Sequence, residues 1–203
     1  FWLRVFEIPE GSKTSKGRAI QNLINIEQDD KVMAFICTQD LKDEEYINSH
    51  YVIMATKKGQ VKKTSLEQYS RPRSNGINAI TIKEGDVLLE AKLTTGQSQV
   101  VLAVRSGKAI RFEENKTRPM GRNASGVRGI RLADDNDEVI GMISVNDMDS
   151  DILVVSENGY GKRSKLDDYR MTNRGGKGVK TISVTEKTGS LVSIKNVSDS
   201  DDL

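Results

Sequence analysis

The sequence predicts an all-β fold built from repeated blades, a propeller-like ring or array. Two observations predict it. Four segments of the 203-residue chain share one pattern at a spacing near 50 residues, and short apolar, β-branched runs alternate with glycine turns between them. A unit of that length suits one blade of about four strands. The repeats run approximately 1–50, 51–98, 99–150 and 151–203, within a single domain.

The four segments are FWLRVFEIPEGSKTSKGRAI, VKKTSLEQYSRPRSNGINAI, AIRFEENKTRPMGRNASGVRGI and YGKRSKLDDYRMTNRGGKGVKTI. Each has a basic residue near its start (Arg4, Lys63, Arg111, Arg163) and a polar, basic stretch after it. Each closes with a glycine a few positions before an isoleucine (Ile20, Ile80, Ile130, Ile182). From basic residue to isoleucine the separations are 16, 17, 19 and 19; from isoleucine to isoleucine they are 60, 50 and 52.

In chain order, FWLRVFEIPE reads as a strand and not as a signal peptide, so Phe1 is not expected to be a native start. The runs YVIMATKKG, QVVLAVRSG and DILVVSENG precede the later three segments. Their glycines, Gly59, Gly107 and Gly159, fall where a tight hairpin needs positive φ. After each isoleucine come an acidic turn and a further strand-like run: DKVMAFICT, GDVLLEAKL, DEVIGMISV and GSLVSIKNV. The longer first spacing is explained by CTQDLKDEEYINSH, 37–50, expected to be an exposed, mobile connection that carries His50 in solvent. The run LVSIKNVSDSDDL has no hairpin partner after it, as expected of an array cut within a repeat.

Composition bounds the function. At 36% hydrophobic and 30% charged, the chain suits a globular domain. No stretch of 18 apolar residues exists, so no membrane span is expected. Cys37 stands alone, which excludes an intramolecular disulfide and suits a reducing compartment. No paired Cys or Cys/His set for zinc is present, and no histidine stands near a nucleophile. SENGYGKRS lacks the spacing of a Walker loop, and Asp134, Asp135 and Asp137 lack that of a calcium loop. No catalytic residue, metal site or cofactor is therefore expected here.

The net charge of +2 hides segregation. Residues 57–73 hold six Lys or Arg against one acid, 105–131 eight against two, and 162–180 seven against two. Residues 132–151 hold seven acids and no base. Such local fields point to a polyanion. Lysines guarding open strand edges would be the bland explanation. Against it, the cations recur at equivalent positions, are arginine-rich in the third repeat, and are interleaved with glycines that let a backbone approach a ligand. In a ring of blades, equivalent positions fall on one rim. The expected partner is duplex DNA, with one charge per about 1.7 Å of axis. Aromatics are only 5% of the chain, too few for stacking on unpaired bases, and no recognition helix is evident. Backbone contacts and bending are expected instead of base readout. The expected phosphate contacts are Lys62, Lys63, Arg71, Arg73, Arg111, Arg118, Arg122, Arg128, Arg163, Arg170, Arg174 and Lys177.

MGRNASGVRGIRL (120–132), MATKKGQVKKT (54–64), SENGYGKRS (156–164) and RGGKGVKTI (174–182) resemble the C-terminal domain of the bacterial DNA gyrase A protein. The resemblance covers essentially the whole chain, and 120–132 points to gyrase more than to topoisomerase IV. It implies a β-pinwheel, a propeller-like disc of four-stranded blades that exchange strands, with about four blades here. It implies non-sequence-specific binding, bending and wrapping of duplex DNA around a basic rim, in support of ATP-dependent negative supercoiling. The implied partners are the rest of gyrase A and the gyrase B protein in an A2B2 holoenzyme, cytoplasmic and associated with the nucleoid. DNA cleavage, with a tyrosine and magnesium, and ATP hydrolysis would reside in those other parts. One departure stands out. The family box QRRGGKG belongs to the first blade, whereas the nearest stretch here is TNRGGKG, 172–178, where Thr172 and Asn173 differ; the true box is expected upstream of Phe1. The alternatives are a topoisomerase IV domain that wraps DNA weakly, and a protein-interaction scaffold docking a basic partner on acidic stretches 27–45 and 132–151.

Overall fold

The computed structural model describes residues 1–27, 29–146 and 149–201. Repeats two to four each form an antiparallel sheet from the runs the sequence singles out. In the second repeat these are β1 (Tyr51–Thr56), β2 (Gln60–Ser65) and β3 (Leu88–Thr94). In the third they are β4 (Gln99–Val104), β5 (Lys108–Glu113) and β7 (Val139–Val145). In the fourth they are β8 (Asp151–Ser156), β9 (Gly161–Lys165) and β11 (Leu191–Val197). The hairpin glycines do what the turn requires: φ is 82° at Gly59, 83° at Gly107 and 81° at Gly159.

The fourth strand of a sheet comes from the following repeat. β6 (Val127–Arg128) pairs with β2, through Val61↔Val127 and Gln60↔Arg128. β10 (Val179–Lys180) pairs with β5 in the same way, through Ala109↔Val179 and Lys108↔Lys180. The sheet orders are therefore β3-β1-β2-β6 and β10-β5-β4-β7, while the third sheet, β11-β8-β9, has three strands. This strand exchange is the β-pinwheel that the resemblance implies. The glycine before each closing isoleucine makes it possible. Gly126 and Gly178 have positive φ, and a Cβ there would lie 2.6 Å from the Val61 carbonyl oxygen and 2.5 Å from that of Ala109. Only glycine lets the exchanged strand approach so closely.

The sheets stack face to face, so a central strand needs apolar residues on both sides. In β4, Val100, Leu102 and Val104 enter one core with Ile53, Val61 and Ile130. Val101 and Ala103 enter the next, with Ile152, Val154 and Leu191. Strand β7 packs against both β3 and β11. The blades thus converge at their β3, β7 and β11 edges, and the opposite, outer edges of the first two sheets carry the exchanged strands.

The first repeat departs from expectation. FWLRVFEIPE is not a strand; Val5–Glu7 forms an exposed 3-10 turn, and DKVMAFICT forms no strand either. A strand needs a partner for its backbone groups. In the later repeats that partner is an apolar run one hairpin upstream, and none stands ahead of residues 1–10 in this sequence. Trp2, Ala34, Ile36 and Leu41 instead cover the free face of the second repeat, against Val52, Met54 and Leu66. The connection 37–50 is not simply an exposed loop. Asp43 caps a helix, α1 (Glu44–Ser49), by accepting the N–H groups of Glu45 and Tyr46. Ile47 buries its side chain beside Leu66 and Tyr69. His50 is half-buried, its Nδ1 donating to the Tyr46 carbonyl at 2.8 Å.

Candidate nucleic-acid interface

Three of the twelve predicted contacts are buried: Lys62, Lys63 and Arg111 are 0%, 4% and 5% exposed. The correction has a geometric cause. β2 and β5 are interior strands of their sheets, because β6 and β10 lie outside them. Their side chains therefore face the neighbouring repeat. Lys62 Nζ donates to the carbonyls of Ala79 and Arg122. Lys63 Nζ donates to the Glu114 carbonyl at 3.3 Å, lies 3.7 Å from Glu114 Oε1, and sits over the Tyr51 ring. Arg111 donates through Nε to Gln99 Oε1 at 2.7 Å, and through Nη1 to the Leu166 and Tyr169 carbonyls and Asp167 Oδ1. Arg163, at the equivalent position of β9, keeps 42% of its side chain exposed but is engaged by Asp151 and Asp199.

Burial, aided by Arg122 nearby, pushes the Lys62 pKa down from 10.5 to about 8. The folded state therefore loses this proton first. Between pH 8 and 10.5 the unfolded chain binds more protons, so stability rises with pH through that window. Wild type is expected to gain on Lys62→Met by about 2–3 kcal/mol between pH 7.5 and 10.5, measured by denaturant unfolding of both, in which other titrations cancel.

The polar, basic stretches are loops laid along the outer edges. Met120 N donates to the Lys63 carbonyl, and Thr172 N to that of Arg111, so each loop starts beside the outgoing strand of the repeat before it. Each then seats on the previous loop. Arg122 Nη1 donates to the Asn78 carbonyl at 3.3 Å, and Thr81 N and Oγ1 donate to the carbonyls of Ala124 and Asn123. Arg174 Nη1 donates to the Arg128 carbonyl at 3.1 Å, and its Nε to that of Lys116. Gly175 N donates to the Gly129 carbonyl, and Arg131 N to that of Gly176. Arg122 and Arg174 thus make the same bond one repeat apart, each onto the second residue after a glycine. Loops 71–81, 116–131 and 168–181 form one continuous band.

That band leaves charge in solvent. Arg71, Arg73, Arg118, Arg128, Arg170 and Lys177 are exposed; Arg122 and Arg174 are half-buried, with part of each guanidinium engaged. Exposed Lys116, Arg131 and Lys180 join it and were not among the predicted contacts. Lys180 on β10 occupies the place of Arg128 on β6, and the alignment of GVRGI with GVKTI already pointed to it. Gly175 and Gly176 of TNRGGKG serve close loop-on-loop packing, the Gly175 N–H being spent on the Gly129 carbonyl and the Gly176 carbonyl accepting the Arg131 N–H.

Acidic residues gather elsewhere, at the hairpin tips. Asp86 Oδ1 accepts the Lys58 N–H at 2.9 Å, and Asp137 Oδ1 accepts that of Ser106 at 3.0 Å. Glu138 pairs with Lys57 and Arg105. These turns brace hairpins. Among the described residues no group of three or more His, Cys, Asp or Glu is placed to hold a metal ion, and no helix is long and apolar enough to cross a membrane.

The family model for the DNA gyrase C-terminal domain, beta-propeller, matches residues 1–39, 50–95, 100–146 and 150–198. The chain belongs to this family. The DNA gyrase A protein of Staphylococcus epidermidis is 43% identical over 202 residues, covering 99% of this chain and 22% of that protein. The DNA gyrase A protein of Staphylococcus aureus is 42% identical over 203 residues, covering 99% of this chain and 22% of that protein. The chain thus spans about a fifth of the length of these curated relatives. Among solved structures, the C-terminal domain of DNA topoisomerase IV superposes with a TM-score of 0.84 at 26% identity, over 97% of this chain and 59% of that one. A DNA gyrase A C-terminal domain superposes at 0.76 and 25% identity, over 91% and 60%.

Proposed function

We propose that this chain binds duplex DNA without sequence preference along its outer edge, bends it and wraps it. In this reading it is the DNA-wrapping part of a gyrase A protein, in a bacterial holoenzyme with gyrase B that uses ATP to introduce negative supercoils. Strand cleavage and ATP hydrolysis reside in other parts of that assembly. The observation that carries the reading is the continuous band of loops, each seated on the one before and each leaving arginine or lysine in solvent. An elongated run of cations on a curved edge matches the even charge of a duplex backbone. Bending a 20–30 bp site by 40–90° costs on the order of 1–6 kcal/mol, which several loops with a few phosphate contacts each can offset.

The test is affinity for random-sequence duplex as a function of salt. A log–log slope steeper than about −4 is expected, from five or more phosphates neutralised. A slope near zero rejects the reading. The superposition on the C-terminal domain of topoisomerase IV favours one second reading, a topoisomerase IV domain that wraps DNA weakly. Holoenzyme reconstituted with the whole gyrase A protein separates the two, since only the gyrase reading yields negatively supercoiled circles from relaxed ones.

A further inference from the structure

Three successive junctions between repeats place a donor side chain against the carbonyls of the next repeat's 3-10 turn. Trp2 Nε1 donates to the Tyr69 carbonyl at 3.0 Å, Lys63 Nζ to that of Glu114, and Arg111 Nη1 to those of Leu166 and Tyr169 at 2.8 and 3.1 Å. Glu114 and Leu166 open their turns, and Tyr69 and Tyr169 stand three residues after Leu66 and Leu166. The donors thus address the same short stretch each time.

The Arg111 junction reaches the rim through covalent and hydrogen-bonded steps. Its guanidinium holds the Tyr169 carbonyl; the Tyr169 hydroxyl bonds Thr181 Oγ1, and Thr181 directly follows Lys180 of β10. The Arg111 carbonyl meanwhile accepts both Thr172 N and Thr172 Oγ1, at 2.9 and 3.1 Å. Loop 168–181 is therefore tied to Arg111 at Tyr169 and Thr172, near its start, and its far end is held through the Tyr169 hydroxyl at Thr181; Arg111 belongs to the preceding repeat. Its planar fork spans acceptors in two repeats, Gln99 in its own and Leu166, Asp167 and Tyr169 in the next, which a single ammonium cannot do.

We infer that Arg111 is a positioning residue for DNA bending: it sets where the rim loop of the fourth repeat stands relative to that of the third, and touches no phosphate itself. The inference rests on the DNA-wrapping reading above. Curvature of bound DNA depends on the spacing of rim cations between blades, so loss of the fork alters bending while the number of phosphate contacts stays the same.

The test uses the 203-residue chain with Arg111→Gln and Arg111→Lys, the latter chosen because the second repeat already folds with a lysine, Lys63, at this position. Affinity is measured for a duplex of about 10 bp, one helical turn, and for one of about 30 bp that must bend across two rim loops. Arg111→Lys is expected to keep the short-duplex affinity within about twofold and the salt slope unchanged, while the long-duplex affinity falls about tenfold and end-to-end energy transfer reports a smaller bend. Arg111→Gln gives a larger loss of the same kind. A salt slope lower by about 1 for Arg111→Lys, with both lengths weakened alike, makes Arg111 a phosphate contact and overturns the inference. Unchanged bending and long-duplex affinity in Arg111→Lys overturn it as well. If wild type itself neither binds nor bends the long duplex, it is the DNA-wrapping reading that fails.

Discussion

Reversing Arg128, Arg170 and Lys177 to glutamate together is expected to lower affinity for random duplex on the order of a hundredfold near 0.1 M salt, and to flatten the log–log salt slope by about 2.7. All three side chains are exposed, lie on the band of outer loops, and come from two successive repeats. Each phosphate contact contributes about 0.9 to the slope, so three lost contacts set the size of the change. The loss should be the same for every sequence tested, because rim cations meet phosphates and not base edges. The informative control is Lys62→Met, which removes a charge from another of the basic stretches, 57–73. Its Nζ lies wholly inside the protein between the Ala79 and Arg122 carbonyls, so the slope should not move. Fluorescence anisotropy across a salt series reads both variants. A flattening of about 0.9 by Lys62→Met, that of one lost phosphate contact, would mean that the cations act by charge alone and not by place.

The second large effect is on stability. Glu114 is 0% exposed and accepts hydrogen bonds from Thr94 Oγ1 at 2.6 Å and Ser98 N at 3.2 Å, with Lys63 Nζ 3.7 Å from Oε1. Burial lowers the Lys63 pKa, and Glu114 is the group that offsets this. Glu114→Ala leaves a buried ammonium without its counter-charge and two buried donors without acceptors. The cost of breaking such a pair is about 3–5 kcal/mol. At about 2–4 °C per kcal/mol for a chain of this length, the thermal midpoint should fall by roughly 10 °C. Glu114→Gln keeps one acceptor oxygen for Thr94 or Ser98 but turns its amide N–H2 toward the other donor, so it should lose somewhat less than Glu114→Ala. The double variant Glu114→Gln/Lys63→Met removes the charge as well as its partner and should be more stable than Glu114→Gln alone. Calorimetry on the three variants decides this. A midpoint for Glu114→Ala within about 2–3 °C of wild type would show that water reaches Lys63 and that the pair holds little together.

Much of this molecule is written locally. The 50-residue period, the continuous apolar runs of β1, β4 and β8, and the glycines at 59, 107 and 159 set strands and hairpins, because each depends on the backbone dihedrals and side-chain faces of a few adjacent residues. The family was legible for the same reason, in stretches such as MGRNASGVRGIRL. Tertiary structure alone decided which cations meet solvent. Lys62, Lys63 and Arg111 look no different in sequence from Arg118 or Arg170, yet the next repeat supplies the strand and the 3-10 turn that close over them. The same holds for CTQDLKDEEYINSH, where a polar stretch becomes a capped helix because Ile47 finds Leu66 and Tyr69 across the fold. Burial is a property of what packs on a residue from elsewhere in the chain, and a sequence records the residue without recording its cover.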